Sequence, residues 1–227
     1  MDESMIDETS PYDGGDLFSD EEARVLGCLV EKQMTTPDQY PMSLNGVTMA
    51  ANQKSNRHPV VDYSEALVER TLRELSDQGA ARMVHRPGDR VVKYRHALGD
   101  HLEMSDPQLA LVAVLMLRGP QTPGELRQRT QRYVDFASLA ELETTLVDLV
   151  DAGSVVRLDR QPGQKEPRFV EQLSDRGVRS VSGLDVTRTI APPAVADDRF
   201  VDDLRSEIAQ LRERFEKLLD QLGVDDV

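Results

Sequence analysis

From Ser19 onward the apolar positions fall first at helical and then at strand spacing, and the series is then written a second time. Ala23, Leu26, Leu29 and Val30 form one stripe, Leu44, Val47 and Ala51 a second, and Leu67, Val68, Leu72 and Leu75 a third. Spacings of three, four and seven predict three amphipathic helices, each burying one face. Ser19 with Glu22 makes a capping box for the first, in which two side chains satisfy backbone N–H groups left unpaired by an opening turn. Thr36 and Pro37 begin a short segment that Pro41 stops; Asp62 or Ser64 caps the third helix, and Gly79 ends it. Residues 80–85 and 90–96 then flank Arg86, Pro87, Gly88 and Asp89, a turn between two extended runs and so a predicted β-hairpin.

The second copy repeats this text in shortened form over residues 105–172. Ser19, Asp20, Thr36 and Pro37 fall on Ser105, Asp106, Thr122 and Pro123, and Leu72, Leu75 and Gly79 on Leu146, Leu149 and Gly153. The offset drops from 86 to 74 between these two sets, a difference of 12 residues assigned to the stretch AANQKSNRHPVVDYS. Two copies must each bury a similar apolar set, so the repeat is a statement about fold. Helix, helix, helix, strand, turn, strand is the order of a winged helix, in which a third helix can enter a major groove and the hairpin lie along adjacent backbone. The chain is therefore predicted to be mainly α with small β-hairpin wings: tandem winged-helix (helix-turn-helix) domains plus a C-terminal coiled-coil helix. The expected boundaries are a disordered acidic tail at 1–18, domains at 19–100 and 101–173, a linker at 174–196 and the coiled-coil helix at 197–224.

That last helix carries Val201, Leu204, Ile208, Leu211, Phe215, Leu218 and Leu222 at alternating spacings of three and four, a heptad seam that predicts self-association as a homodimer. The formal charge of −14 argues against nucleic acid only until it is placed along the chain. Nine acids and no base occupy residues 1–22, and ten acids with five bases occupy 197–227, which leaves 22 of each sign in between. Within that neutral core, Arg82, Arg86, Arg90, Lys93 and Arg95 stand against Asp89 alone, so charge is segregated and the global balance is a poor guide to partners.

Double-stranded DNA is the partner these features suggest. Lys54, Arg57, Arg86, Arg90, Lys93 and Arg95 are the candidate phosphate contacts, Asn52 and Asn56 the candidate base readers, and Arg70 and Arg73 the cations of the third helix. The stretch from Asn52 to His58 suits a hydrated loop equally well. The third helix of the second copy, from Ser138 to Asp151, has four acids and no base, and would repel phosphate. That face suggests the other reading, a scaffold that binds a protein partner. Catalysis finds little support: no His, Cys and carboxylate spacing predicts a metal or catalytic site, and no cofactor motif occurs. The single cysteine, Cys28, sits in an apolar helical run, as an inert thiol in a reducing compartment does. With no apolar run of membrane-spanning length and an acidic N-terminus, the protein is expected to be cytoplasmic, with no membrane partner.

The stretches EARVLGCLVEKQMTTPDQYPMSLNGV, NQKSNRHPV and LRGPQTPGELRQRT closely resemble the YceH-like family of bacterial proteins. The resemblance covers residues 19–172 and extends to the final heptad helix. It implies the tandem winged-helix fold and brings no catalytic or ligand-binding residues with it.

Overall fold

Helix α1 (Asp20–Thr35) is the axis of the fold, buried around its circumference from Glu22 to Glu31. In this computed structural model, which describes residues 17–85, 91–160 and 165–181, the Ser19 capping box closes with bonds of 2.8 and 3.2 Å. A 3-10 turn at Pro37–Gln39 and a two-residue strand β1 (Met42–Ser43) lead to α2 (Leu44–Ala51), capped by Ser43. Ser64 caps α3 (Glu65–Asp77), and strands β2 (Ala81–Val84) and β3 (Lys93–His96) follow. A single turn, α4 (Leu98–His101), joins the copies. The second runs α5 (Asp106–Arg118), α6 (Pro123–Thr130), α7 (Leu139–Asp151), β4 (Val155–Leu158) and β5 (Arg168–Glu171), and α8 (Asp175–Val181) ends it.

Among the described residues the fold is helix-rich with two small antiparallel sheets, one ordered β1-β3-β2 and one made of β4 and β5. The repeat is visible in detail. Gly79 and Gly153 both take positive φ, +80° and +72°, just past the ends of α3 and α7, where a residue with a Cβ would be strained. Met42 pairs with Tyr94 in the first copy, and Gln121 with Phe169 in the second. This pairing corrects the alignment of the copies. The residue preceding the cap of the second helix is Met42 in one copy and Gln121 in the other, so Ser43, and not Thr36, is the counterpart of Thr122. Of the 12 extra residues in the first copy, seven therefore precede α2 and five follow it.

The two copies do not keep separate interiors. α1 packs along α5, which is buried from Leu109 to Leu117, and one apolar cluster runs from Leu26, Leu29 and Leu72 through Leu111 and Leu115 to Leu142 and Leu146. The approach is close at Gly27, where an added Cβ would lie 2.9 Å from Leu117 Cγ and 3.4 Å from the Ala113 carbonyl. Cys28 is buried beside Ala50, Ala51 and Leu117.

Two predicted boundaries shift. Phe18, placed in the acidic tail, is 4% exposed and pairs with Ser174: its N–H donates to Leu173 O at 2.9 Å, and Asp175 N–H donates to its carbonyl at 3.0 Å. The predicted linker begins later than residue 174, because Asp175–Val181 is helical. The buried Glu171 carboxylate organises this turn, accepting from the N–H groups of Leu173 and Ser174 at 2.8 and 3.0 Å and from the Ser174 hydroxyl at 2.6 Å. By its contacts the chain divides into Met1–Asp185 and Val186–Val227. The second unit, with the heptad positions Val201, Leu204, Ile208, Leu211, Phe215, Leu218 and Leu222, lies outside the described residues, as do residues 1–16 of the tail. No helix among the described residues is long and apolar enough to cross a membrane.

Candidate nucleic-acid interface

Side chains alternate across a strand, so the register of the first hairpin decides which of its charges share a face. Arg82 lies directly opposite Arg95, and Val84 opposite Lys93. Arg82, Lys93 and Arg95 therefore stand on one side, Arg82 and Arg95 exposed and Lys93 half-buried, and none forms an ion pair among the described residues. Like charges directly opposed across two strands are unfavourable unless a counter-charge joins them. The other side is turned to the core through Ala81, Tyr94 and His96.

His96 is held there by its backbone, whose N–H donates to the Tyr40 hydroxyl at 2.7 Å. Neither imidazole nitrogen has a hydrogen-bond partner among the described residues. Burial, with Arg95 next to it, pushes its pKa down to about 4, so the ring is neutral at physiological pH. Arg86 and Arg90, the remaining candidates of this hairpin, lie outside the described residues.

Arg70 and Arg73 are exposed on α3, but each faces an acid one turn away, Arg70 with Glu74 at 3.6 Å and Arg73 with Glu69 at 2.5 Å. These pairs leave that face of α3 without excess positive charge.

The polar stretch after α2 divides sharply. Asn52 clasps Tyr63, donating to its carbonyl at 2.8 Å and accepting from its N–H at 2.7 Å, which closes the connection into a loop. Asn56, with φ of +61°, accepts a hydrogen bond from the Arg118 guanidinium at the end of α5. Arg57, expected at a phosphate, has a fully buried side chain. Its guanidinium donates to both oxygens of Glu31 at 3.3 and 2.5 Å and to the Ala50 carbonyl at 3.1 Å. Burying a guanidinium requires a buried counter-charge, and Glu31 supplies it. Burial alone would raise the Glu31 pKa, but the hydrogen bonds and charge of Arg57 outweigh that and hold it below the usual carboxylate range. Asn52, Asn56 and Arg57 thus join parts of the protein to one another. Lys54 and Asn56 are the exposed members of the four; Asn56 is engaged by Arg118, and Lys54 has no ion pair among the described residues.

The second hairpin's charge is more mixed, since its exposed Arg160 and Lys165 stand next to the exposed Asp159 and Glu166 in sequence. Arg157 is exposed opposite Phe169, while Arg168 is bonded to Glu125 at 2.9 Å and to the Pro120 carbonyl at 3.0 Å. Among the described residues no group of three or more His, Cys, Asp or Glu side chains is placed to hold a metal ion.

A family model described as a protein of unknown function, DUF480, matches residues 18–164, from Phe18 through the first copy and through the second to beyond β4. The UPF0502 protein of Citrobacter koseri is 44% identical over 211 residues, spanning 89% of this chain and 96% of its own. The UPF0502 protein YceH of Salmonella paratyphi A is 44% identical over 212 residues, with the same shares. The chain belongs to this UPF0502 family. Another member, from Shewanella amazonensis, is 42% identical over 204 residues, covering 87% of this chain and 95% of its own. Sequence reasoning on this UPF0502 protein left Arg82 out of the candidate site, although strand alternation would have placed it beside Arg95. The internal role of Arg57 had one sequence signal, the 24, 28, 31 spacing of Arg24, Cys28 and Glu31, a second stripe on α1 beside the apolar one.

Proposed function

We propose that this UPF0502 protein is a non-enzymatic, cytoplasmic DNA-binding protein, a transcriptional regulator built from two winged helices. The first hairpin lies along the phosphate backbone, and a homodimer forms through the heptad helix. One observation carries this reading: Arg82 opposes Arg95 with Lys93 on the same face and no acid between them. That arrangement is unfavourable for an isolated strand pair and favourable against a polyanion. The neutral pairing on α3 fits a backbone-led mode of binding better than a base-reading one. The test is anisotropy of a labelled duplex titrated at several salt concentrations, with Arg82→Glu/Arg95→Glu as the variant. The reading expects affinity that falls steeply with salt and is lost in the variant. Absence of salt-dependent binding at low ionic strength rejects it.

A second reading has its own observation. On α7, Leu139 and Val147 are 37% and 55% exposed with Glu143 between them on one side, and Glu141 and Asp148 are exposed further around the helix, an apolar-acidic surface suited to a basic protein partner. Changing the three acids to lysine would release such a partner in a pull-down. Unchanged retention of every partner would exclude this face.

A further inference from the structure

A cleft of about 830 Å³ opens between the end of α1, the connection after α2, and α6 with its following turn. Lys32, Lys54, Arg118, Arg129 and Arg132 line it, and none belongs to the first hairpin. Glu31 is the single acid on its wall among the described residues. Its carboxylate already accepts from Arg57 and from the Tyr133 hydroxyl at 3.0 Å, so the buried arginine cancels its charge. Lys32 stands at 3.6 Å from that satisfied carboxylate. Arg129 is 3.9 Å from Glu125, which is itself bonded to Arg168 at 2.9 Å. Arg118 is met by the neutral amide oxygen of Asn56. Lys54 and Arg132, both exposed, have no ion-pair partner among the described residues.

A recess lined by five cations against one neutralised acid, with polar side chains between them, carries a positive field that draws in an anion. Arg118 registers that field. Burial lowers its pKa, and the charges of Arg129 and Arg57 lower it further, a strain that a bound anion would relieve. Arginine forks suit the paired oxygens of phosphate, and lysines add point charges to a chain of such groups. The volume lies within the range of about 300–1,000 Å³ typical of small-ligand sites.

We propose that this inter-repeat cleft binds a small polyphosphate-bearing ligand of nucleotide size, held by Lys54, Arg118, Arg129 and Arg132. The site shares no residue with the first hairpin, the surface that carries the DNA-binding reading, although Lys54 is also among the candidate phosphate contacts.

The experiment is calorimetric titration of the full chain with inorganic tripolyphosphate and, separately, ATP, at fixed ionic strength and with sulfate as control. Saturable binding of tripolyphosphate or ATP is expected, weakened roughly tenfold or more in Lys54→Glu/Arg132→Glu. Both changes are at exposed positions, and thermal unfolding of the variant checks that it is folded. Arg82→Glu/Arg95→Glu should bind these ligands as the parent does. Equal affinity for the two ligands assigns recognition to the phosphate chain alone; tighter ATP binding adds a contact to the nucleoside. No binding in the millimolar range, equal binding of sulfate, or undiminished binding by the cleft variant each overturns the proposal. A DNA duplex that displaces the ligand and is itself lost in the cleft variant would make this surface part of a DNA groove, which also overturns it.

Discussion

Arg57 and Glu31 meet through two hydrogen bonds across the interior, their side chains 0% and 9% exposed, and fasten the connection after α2 to the central helix. Removing one partner of a buried pair strands the other without a counter-charge, which costs about 3–5 kcal/mol. Arg57→Ala is therefore expected to lose about that much in urea unfolding. A change below about 1 kcal/mol would mean that Glu31 finds water or a proton at little cost. Because the Glu31 pKa is depressed in the folded state, its contribution is complete above its ordinary value and disappears as pH falls through the folded one.

His96 should make the protein acid-sensitive at a higher pH. Its ring is neutral when folded, with a pKa of about 4, against an ordinary value of 6.5. The unfolded chain takes up the proton first, so stability is intact above 6.5 and falls between 6.5 and about 4, by up to about 3 kcal/mol. Melting temperature measured against pH checks this. His96→Leu should flatten the curve in that window, and a variant curve parallel to the parent would show that another group titrates there.

Gly27 is the tight point of the α1–α5 contact. A side chain there meets Leu117, itself buried, and the Ala113 carbonyl. Gly27→Val is expected to destabilise the fold by about 1–3 kcal/mol through overpacking. Pairing it with Leu117→Ala should recover part of that loss. An unchanged midpoint in denaturant for the single variant would mean that the two helices slide apart freely.

For DNA binding, counterion release sets the scale. Each lost phosphate contact reduces the log–log salt slope by about one. Arg82→Ala and Arg95→Ala should each do so, whereas Arg70→Ala and Arg73→Ala, whose charges are met on α3, should move it little. Slopes affected equally by all four would transfer the contact from the hairpin to α3.

The helices and hairpins were legible because their signals are local: apolar spacing, Ser19, Ser105 and Thr122 as caps, and Gly79 and Gly153 at helix ends. The short β1 was missed because two residues carry no period, and the Thr-Pro pairs at 36–37 and 122–123 look equivalent although only the second opens an α-helix. For the site, residue type was a weaker guide than surroundings. Asn52, Asn56 and Arg57 have the chemistry of DNA contacts, and whether their polar atoms are already engaged depends on Tyr63, Arg118 and Glu31. Two of those three partners lie more than 20 positions away in sequence, on α1 and α5. The cationic cleft was illegible for the same reason, since Lys32, Lys54 and Arg132 converge only once the two copies are packed.

The packing of α1 along α5 has a consequence for what can be dissected. Cut between the copies, each fragment would carry an oily helix flank to solvent, and neither should reach its native form without the other. Mixed together, the fragments should reassemble as a pair, and in the intact chain the two copies should melt as one.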